Sequence, residues 1–323
     1  MGNLPPTLSI VIPCFNEEAN LDALFQELLP VLAHLQLPYE IICVNDGSRD
    51  RTLSMLLQWR DRHPTIKVLD LSRNFGKDIA LTAGIDATSG LAVIPMDADL
   101  QDPPAVIPAL VERWQQGADV VYATRRRRQD SWLKRWSAAA FYAVLQGLSS
   151  VPIPANTGDF RLLDRRVVDA LKQLPERGRF MKGLFSWVGY RQTAVYFERP
   201  SRHQGSSKWS YWQLWNFALS AIFAFSVKPL QVWLYVGLAV SGVALLYALW
   251  LVVRTLLFGA DLPGYPSLMV AILFMGGVQL LTLGIIGEYI GRIYDEVKQR
   301  PLYLVRDRYG FAPKSAPDSD PAH

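Results

Sequence analysis

Hydrophobic and polar positions divide the chain into two regimes. From Thr7 to Phe197, short apolar runs alternate with stretches of helical period. From Trp209 to Gly287 apolar character is nearly continuous, and only Lys228, Arg254 and Asp261 carry charge. In the first regime Thr7–Pro13, Tyr39–Val44, Ile66–Leu71 and Leu91–Met96 are strand-length and apolar, the pattern of strands covered on both faces. Leu21, Leu24, Phe25, Leu28, Leu32 and Leu35 keep the spacing of one helix face. Further helices are predicted over Thr52–Arg62, Lys77–Thr88, Ala105–Gln115 and Arg165–Gln173, and further strands over Asp119–Ala123 and Arg191–Phe197. Four strand–helix alternations with short connections predict an α/β fold with a Rossmann-like, mostly parallel sheet.

The second regime holds two uncharged runs, Leu230–Val253 of 24 residues and Pro263–Gly287 of 25. Each exceeds the roughly 20 residues that cross a bilayer as a helix, so two C-terminal transmembrane helices are expected. Arg199, Arg202, Lys208 and Lys228 precede them; Arg292, Lys298, Arg300, Arg306 and Arg308 follow; only Arg254 lies between. Basic flanks mark the cytoplasmic side, which predicts a multi-pass protein of the cell's inner (plasma) membrane with both ends in the cytoplasm. No signal peptide precedes Thr7, so the α/β region is expected on that same side.

Trp209–Val227 is uncharged too, but Lys228 and Pro229 are too few to turn the chain before the next run. Its tryptophans, mixed with Ser, Gln and Asn, suit an amphipathic helix lying in the membrane interface. Arg125–Arg128, followed by Trp132, Lys134, Arg135 and Trp136, reads either as a second headgroup-level element or as a solvated charged face. The expected organisation is residues 1–200 as the α/β domain and 201–228 as a basic loop with an interfacial helix. Residues 229–290 form the two membrane helices and 291–323 a cytoplasmic tail, disordered after Gly310. Gly237, Ser241, Gly276 and Gly277 would let spans pack closely, so a homo-oligomer is expected.

Composition narrows the class. The chain is 50% hydrophobic and its net charge is only +4, with no basic surface extended enough for a nucleic-acid partner. Cys14 and Cys43 sit in predicted strands without C-x-x-C spacing, as core thiols of a reducing compartment do. Neither G-x-G-x-x-G nor G-x-x-x-x-G-K-[ST] occurs, which argues against a dinucleotide oxidoreductase or a P-loop NTPase.

Candidate chemistry lies at strand ends. Leu91–Met96 delivers Asp97-Ala98-Asp99-Leu100-Gln101-Asp102 to its carboxyl end, where ligands sit in open α/β sheets. Two carboxylates two residues apart can share a hard cation; a capped turn is the plainer reading. Asp46 could accept from a ribose hydroxyl or base N–H, or close an Asx-turn before Gly47. Asp159, between Gly158 and Phe160, is a site carboxylate or a structural one. Arg199, Arg202 and Lys208, with Ser206 and Ser207 around Gly205, form a loop able to fold over phosphates, or a surface linker.

Five segments occur in order: Ser9–Pro13 with Asn16-Glu17-Glu18; Val44-Asn45-Asp46-Gly47-Ser48; Asp97–Asp102; Gly158–Leu162; and Arg202-x-x-Gly205-x-Ser207-Lys208. Together they resemble a family 2, GT-A-fold glycosyltransferase of the polyprenyl-phosphate type, a group including bactoprenol glucosyltransferases and dolichyl-phosphate mannose synthases. The likeness covers about residues 7–300. The Gln-x-x-Arg-Trp motif of polysaccharide synthases is absent.

The resemblance implies that Pro13, Glu17 and Asp46 contact the nucleotide, that Asp97, Asp99 and Gln101 hold Mg²⁺ or Mn²⁺, and that Arg125, Arg202, Ser207 and Lys208 reach phosphates. It implies a catalytic place for Asp159, as base or as positioning group, with Asp97, Arg202 and Lys208 also at the reacting centre. The implied reaction is inverting transfer of a sugar from a nucleotide-sugar to a polyprenyl phosphate at the bilayer, with UDP-glucose and undecaprenyl phosphate the expected pair. GDP-mannose or a UDP-N-acetyl sugar is the alternative donor. A non-catalytic, membrane-anchored nucleotide-sugar-binding protein is the alternative from another class.

Overall fold

The computed structural model describes residues 6–125, 157–174, 176–179, 181–197 and 264–311, with scattered helical positions between 235 and 258. By their contacts the residues fall into two units. One comprises Met1–Trp136, Ile153–Trp209 and Arg300–His323; the other comprises Ser137–Pro152 and Ser210–Gln299.

The first unit opens with β1 (Leu8–Cys14), α1 (Leu21–His34), β2 (Tyr39–Asn45), α2 (Thr52–Arg62), β3 (Ile66–Leu71), α3 (Lys77–Asp86) and β4 (Ala92–Pro95). These follow the predicted runs closely. After a 3₁₀ turn at Pro104–Val106 come α4 (Ile107–Gln115), β5 (Val120–Arg125), β6 (Thr157–Asp164), α5 (Arg165–Lys172), α6 (Met181–Trp187) and β7 (Gln192–Phe197). The second unit holds α7 (Tyr265–Val297), and the chain then supplies β8 (Val305–Tyr309) to the sheet of the first.

The sheet runs β7-β5-β6-β4-β1-β2-β3-β8. Strands β1 to β4 are parallel, and central β1 sets Val11 opposite Ile42 of β2 on one side and Pro95 of β4 on the other. Two strands run against them. β6 is inserted antiparallel between β4 and β5, and β8 closes the far edge antiparallel to β3. The pattern at β6 did not read as a strand because one of its faces carries Asp159 and Arg161 in place of apolar residues.

Both faces of the sheet are covered. Leu21, Leu24, Phe25, Leu28 and Leu32 of α1 pack with Ile10, Ile12, Ile41 and Cys43 in the larger core. On the other face Ala80 and Ala83 of α3 meet Ile42, Val44, Leu69 and Leu71. Small residues bring α3 close: a Cβ on Gly84 would overlap Val11 and stand 3.0 Å from a Val44 methyl. That approach sets α3, and with it Lys77 at its first position, over the sheet. Cys14 and Cys43 are buried free thiols.

In the second unit the described positions between 235 and 258 are helical. Phe274–Val297 is long and apolar enough to cross a membrane, and among the described residues it is the one segment that is. Glu288 pairs with Arg292 one helical turn on, at 3.0 Å.

Candidate active site at the carboxyl rim of the sheet

The ends of β1, β2 and β4 meet at one rim, and hydrogen bonds lace the loops after β1 and β2 together. Asn16 N–H donates to Ser48 Oγ (3.0 Å), Arg49 N–H to Asn16 Oδ1 (2.9 Å), Glu17 N–H to Thr52 Oγ1 (2.9 Å) and Arg51 N–H to Glu18 Oε2 (3.0 Å). Asn16 adopts φ +56°, a left-handed geometry that Asn tolerates better than most side chains. Pro13 is half-buried at the end of β1, next to this weave.

Asp46 is buried, and its carboxylate accepts the Phe75 N–H at 2.7 Å and the Gly76 N–H at 2.9 Å. It therefore pins the loop between β3 and α3. Both readings from sequence, ribose acceptor and Asx-turn, omit this contact. Gly47 beside it has φ +65°, and a Cβ there would lie 2.5 Å from the Arg73 carbonyl carbon. Above the same loop the Arg73 guanidinium stacks 4.0 Å from the Phe75 ring centroid.

Glu17 lies within the field of the acids that follow β4. Burial pushes its carboxyl above the ordinary value; the Asn20 amide opposes this, and the charges of Asp99, Asp97 and Asp50 add to it. Beyond β4 the chain turns through Leu100 at φ +57°, a strained conformation for leucine that costs of order 1 kcal/mol and is held by burial. Within the turn Asp99 Oδ1 accepts the Gln101 N–H at 3.1 Å. Asp97 and Asp99 are half-buried, Gln101 buried.

Asp97 meets Asp159 through a third residue. The antiparallel register of β4 and β6, Ala92↔Asp164 and Val93↔Leu163, sets Asp97 opposite Asp159 when continued past the paired residues. Lys77 Nζ lies 2.6 Å from Asp97 Oδ1, 2.8 Å from Asp97 Oδ2 and 2.8 Å from Asp159 Oδ2. Burial pulls the Lys77 ammonium down, but the two carboxylates outweigh it and raise its pKa well above the ordinary lysine value. Sequence reasoning gave Lys77 no role. One signal was available: a cation at the first position of a helix opposes the helix dipole, which favours acids there.

Arg161, on the same face of β6, is a second unforeseen cation. It is 4% exposed, donates to the Gly158 carbonyl at 2.7 Å and stacks 4.3 Å from the Phe185 ring centroid. Burial lowers its pKa to about 10, with Asp159 and Tyr122 opposing the shift.

Asp97 and Asp99 offer hard carboxylate oxygens two residues apart, with the Gln101 amide next. That donor set suits Mg²⁺ or Mn²⁺ and leaves most of the coordination shell to water and a diphosphate. No cluster of three or more His, Cys, Asp or Glu able to hold a metal occurs among the described residues. Arg202, Ser207 and Lys208 lie outside the described residues, as do Arg126–Arg128; of Arg125 only the backbone, ending β5, is described.

Residues 9–172 match the glycosyl transferase family 2 model. The chain belongs to glycosyl transferase family 2. Its α/β domain is the GT-A-like fold with a mostly parallel sheet, and the protein is a glycosyltransferase. Residues 228–293 match a second model, the GtrB C-terminal hairpin. An uncharacterized glycosyltransferase of Synechocystis sp. is 61% identical over 94% of this chain and 96% of its own length. An SfII prophage-derived bactoprenol glucosyl transferase of Shigella flexneri is 49% identical over 93% and 97%. A prophage bactoprenol glucosyl transferase homolog of Escherichia coli is 45% identical over 93% and 98%.

Proposed function

We propose that this glycosyltransferase moves glucose from UDP-glucose to undecaprenyl phosphate at the cytoplasmic face of the inner membrane, with inversion at the sugar and with Mg²⁺ or Mn²⁺ as cofactor. The observation that carries this reading is likeness along nearly the whole chain, hairpin included, to proteins named bactoprenol glucosyl transferase. The exposed apolar side chains of the second unit support the membrane part. Leu256, Phe258, Leu280 and Leu283 are among them, more than a water-facing surface ordinarily carries. Two spans, Leu230–Val253 and Pro263–Gly287, complete the hairpin in this reading.

In this scheme Pro13, Glu17 and Asp46 line the nucleotide side, and Asp46 acts by holding the Phe75–Gly76 loop in place. Asp97, Asp99 and Gln101 hold the metal, which when bound neutralises charge on the departing diphosphate. Arg125, Arg202, Ser207 and Lys208 attend the phosphates. An oxygen of the lipid phosphate forms the new bond to the anomeric carbon as the bond to UDP breaks, and attack from the opposite side inverts the centre. A phosphate monoester is already largely ionised near neutrality, its second pKa being about 6, so no strong base is required. Asp159, held by Lys77, orients the reactants.

The test is transfer of radiolabelled sugar into organic-extractable lipid by the full chain in detergent, with undecaprenyl phosphate and Mg²⁺. UDP-glucose is expected to label the lipid; label from GDP-mannose or a UDP-N-acetyl sugar in its place would replace the donor. No lipid product from any of the three would overturn the reading.

A further inference from the structure

We propose that Lys77 is a positioning residue of the transfer reaction, an ammonium strut that holds the Asp159 carboxylate beside Asp97. This rests on the function proposed above and adds to it a residue and a division of labour. Two carboxylates that touch one nitrogen lie within two hydrogen-bond lengths of each other, and Lys77 touches both at 2.8 Å or less.

The two acids come from different strands and serve different halves of the reaction. Asp97 belongs with the metal and leaving group, Asp159 with the sugar and incoming phosphate. Without a cation between them, like charges this close would push the halves apart. Stability does not account for the lysine. It opens α3, where the dipole disfavours a cation, and setting an ammonium against the buried Asp159 carboxylate carries a desolvation cost that offsets the attraction of the pair.

The strut has a firm footing. Gly76, the residue before it, is tied to Asp46, and the Gly84 contact presses α3 onto β1 and β2. Lys77 therefore joins the turn after β4 to β6 through its side chain, and its backbone follows directly from the loop that Asp46 holds.

Full-length wild type, Lys77→Met and Lys77→Arg in detergent test this, with turnover, KM for both substrates, Mn²⁺ binding by calorimetry and melting temperature as readouts. Misplacing a reacting group costs about a hundredfold, so Lys77→Met should lose that much turnover with little change in either KM. It should also bind Mn²⁺ about tenfold more tightly, because an ammonium beside Asp97 no longer opposes the divalent charge. Lys77→Arg should recover much of both. Turnover of Lys77→Met within about twofold of wild type would overturn the proposal. So would Mn²⁺ affinity that is unchanged, or that weakens together with turnover and melting temperature without rescue by arginine. A wild-type protein that transfers no sugar fails the proposed function instead, and the Mn²⁺ comparison still decides on Lys77.

Discussion

Asp46 accepts the Gly76 amide at 2.9 Å, and through that bond the end of β2 sets where α3 begins. Its other oxygen takes the Phe75 amide at 2.7 Å, so the carboxylate serves two backbone donors at once. Asn in its place has one accepting oxygen and turns an NH₂ toward the second donor. Asp46→Asn should destabilise the fold by about 1–3 kcal/mol and raise the KM for nucleotide-sugar more than that for lipid. Thermal unfolding and two-substrate kinetics check both parts; equal KM changes would take Asp46 off the nucleotide side.

Gly47 tests the same seam by sterics. Its φ of +65° disfavours any side chain, and a Cβ would also meet the Arg73 and Asn74 backbone at 2.5 and 2.6 Å. Gly47→Ala should cost about 2 kcal/mol or more. Gly47→Asn, which tolerates the dihedral, should be no better, because the obstruction is main chain. Recovery with Asn in thermal unfolding would show that conformation alone matters.

The metal pair makes a plainer prediction. Asp99→Ala should lower transfer by about a thousandfold or more while the protein still unfolds cooperatively, and chelator should silence the wild type reversibly. Asp159→Asn should also lose turnover heavily. A loss that shrinks as pH rises would mark Asp159 as a base; a constant loss across pH would mark it as a positioning group.

Acid stability has a source away from the site. Glu40 is 2% exposed at the start of β2 and accepts from Ser9 Oγ (2.6 Å), Lys67 Nζ (2.7 Å) and Ser89 N–H (2.7 Å). Burial alone would raise its pKa, but these donors and the Lys67 charge together bring it below the ordinary 4.5. A folded pKa below the unfolded one gives stability that is complete above pH 4.5 and lost as pH falls through the lower value. Glu40→Gln should therefore cost about 1–3 kcal/mol at neutral pH, and its deficit against wild type should narrow below that point. Unfolding curves at several pH values read this directly; a gap independent of pH would contradict it.

The parallel strands were legible because each is a run of Ile, Leu and Val with a turn after it, a pattern that depends on nothing distant. Asp97 and Asp99 were legible for the same local reason, as acids at the end of such a run. β6 and Lys77 were not. Asp159 and Arg161 interrupt the apolar alternation of β6, and Lys77 gains its meaning only from partners 20 and 82 positions further on. β8 was hidden differently: Val305–Tyr309 is short and mostly charged, as an edge strand can be once its neighbour is buried. It nonetheless brings Arg306 to 3.5 Å from Asp70, and the Ser72 amide donates to the carbonyl of Leu304 just before it.

The border of β3 stays unpaired in any chain that stops short of Val305–Tyr309, the strand that covers it. A nascent or prematurely terminated chain thus carries a bare strand edge, which invites pairing with another copy. The arrival of Val305–Tyr309 therefore separates molecules with a covered β3 edge from fragments without one.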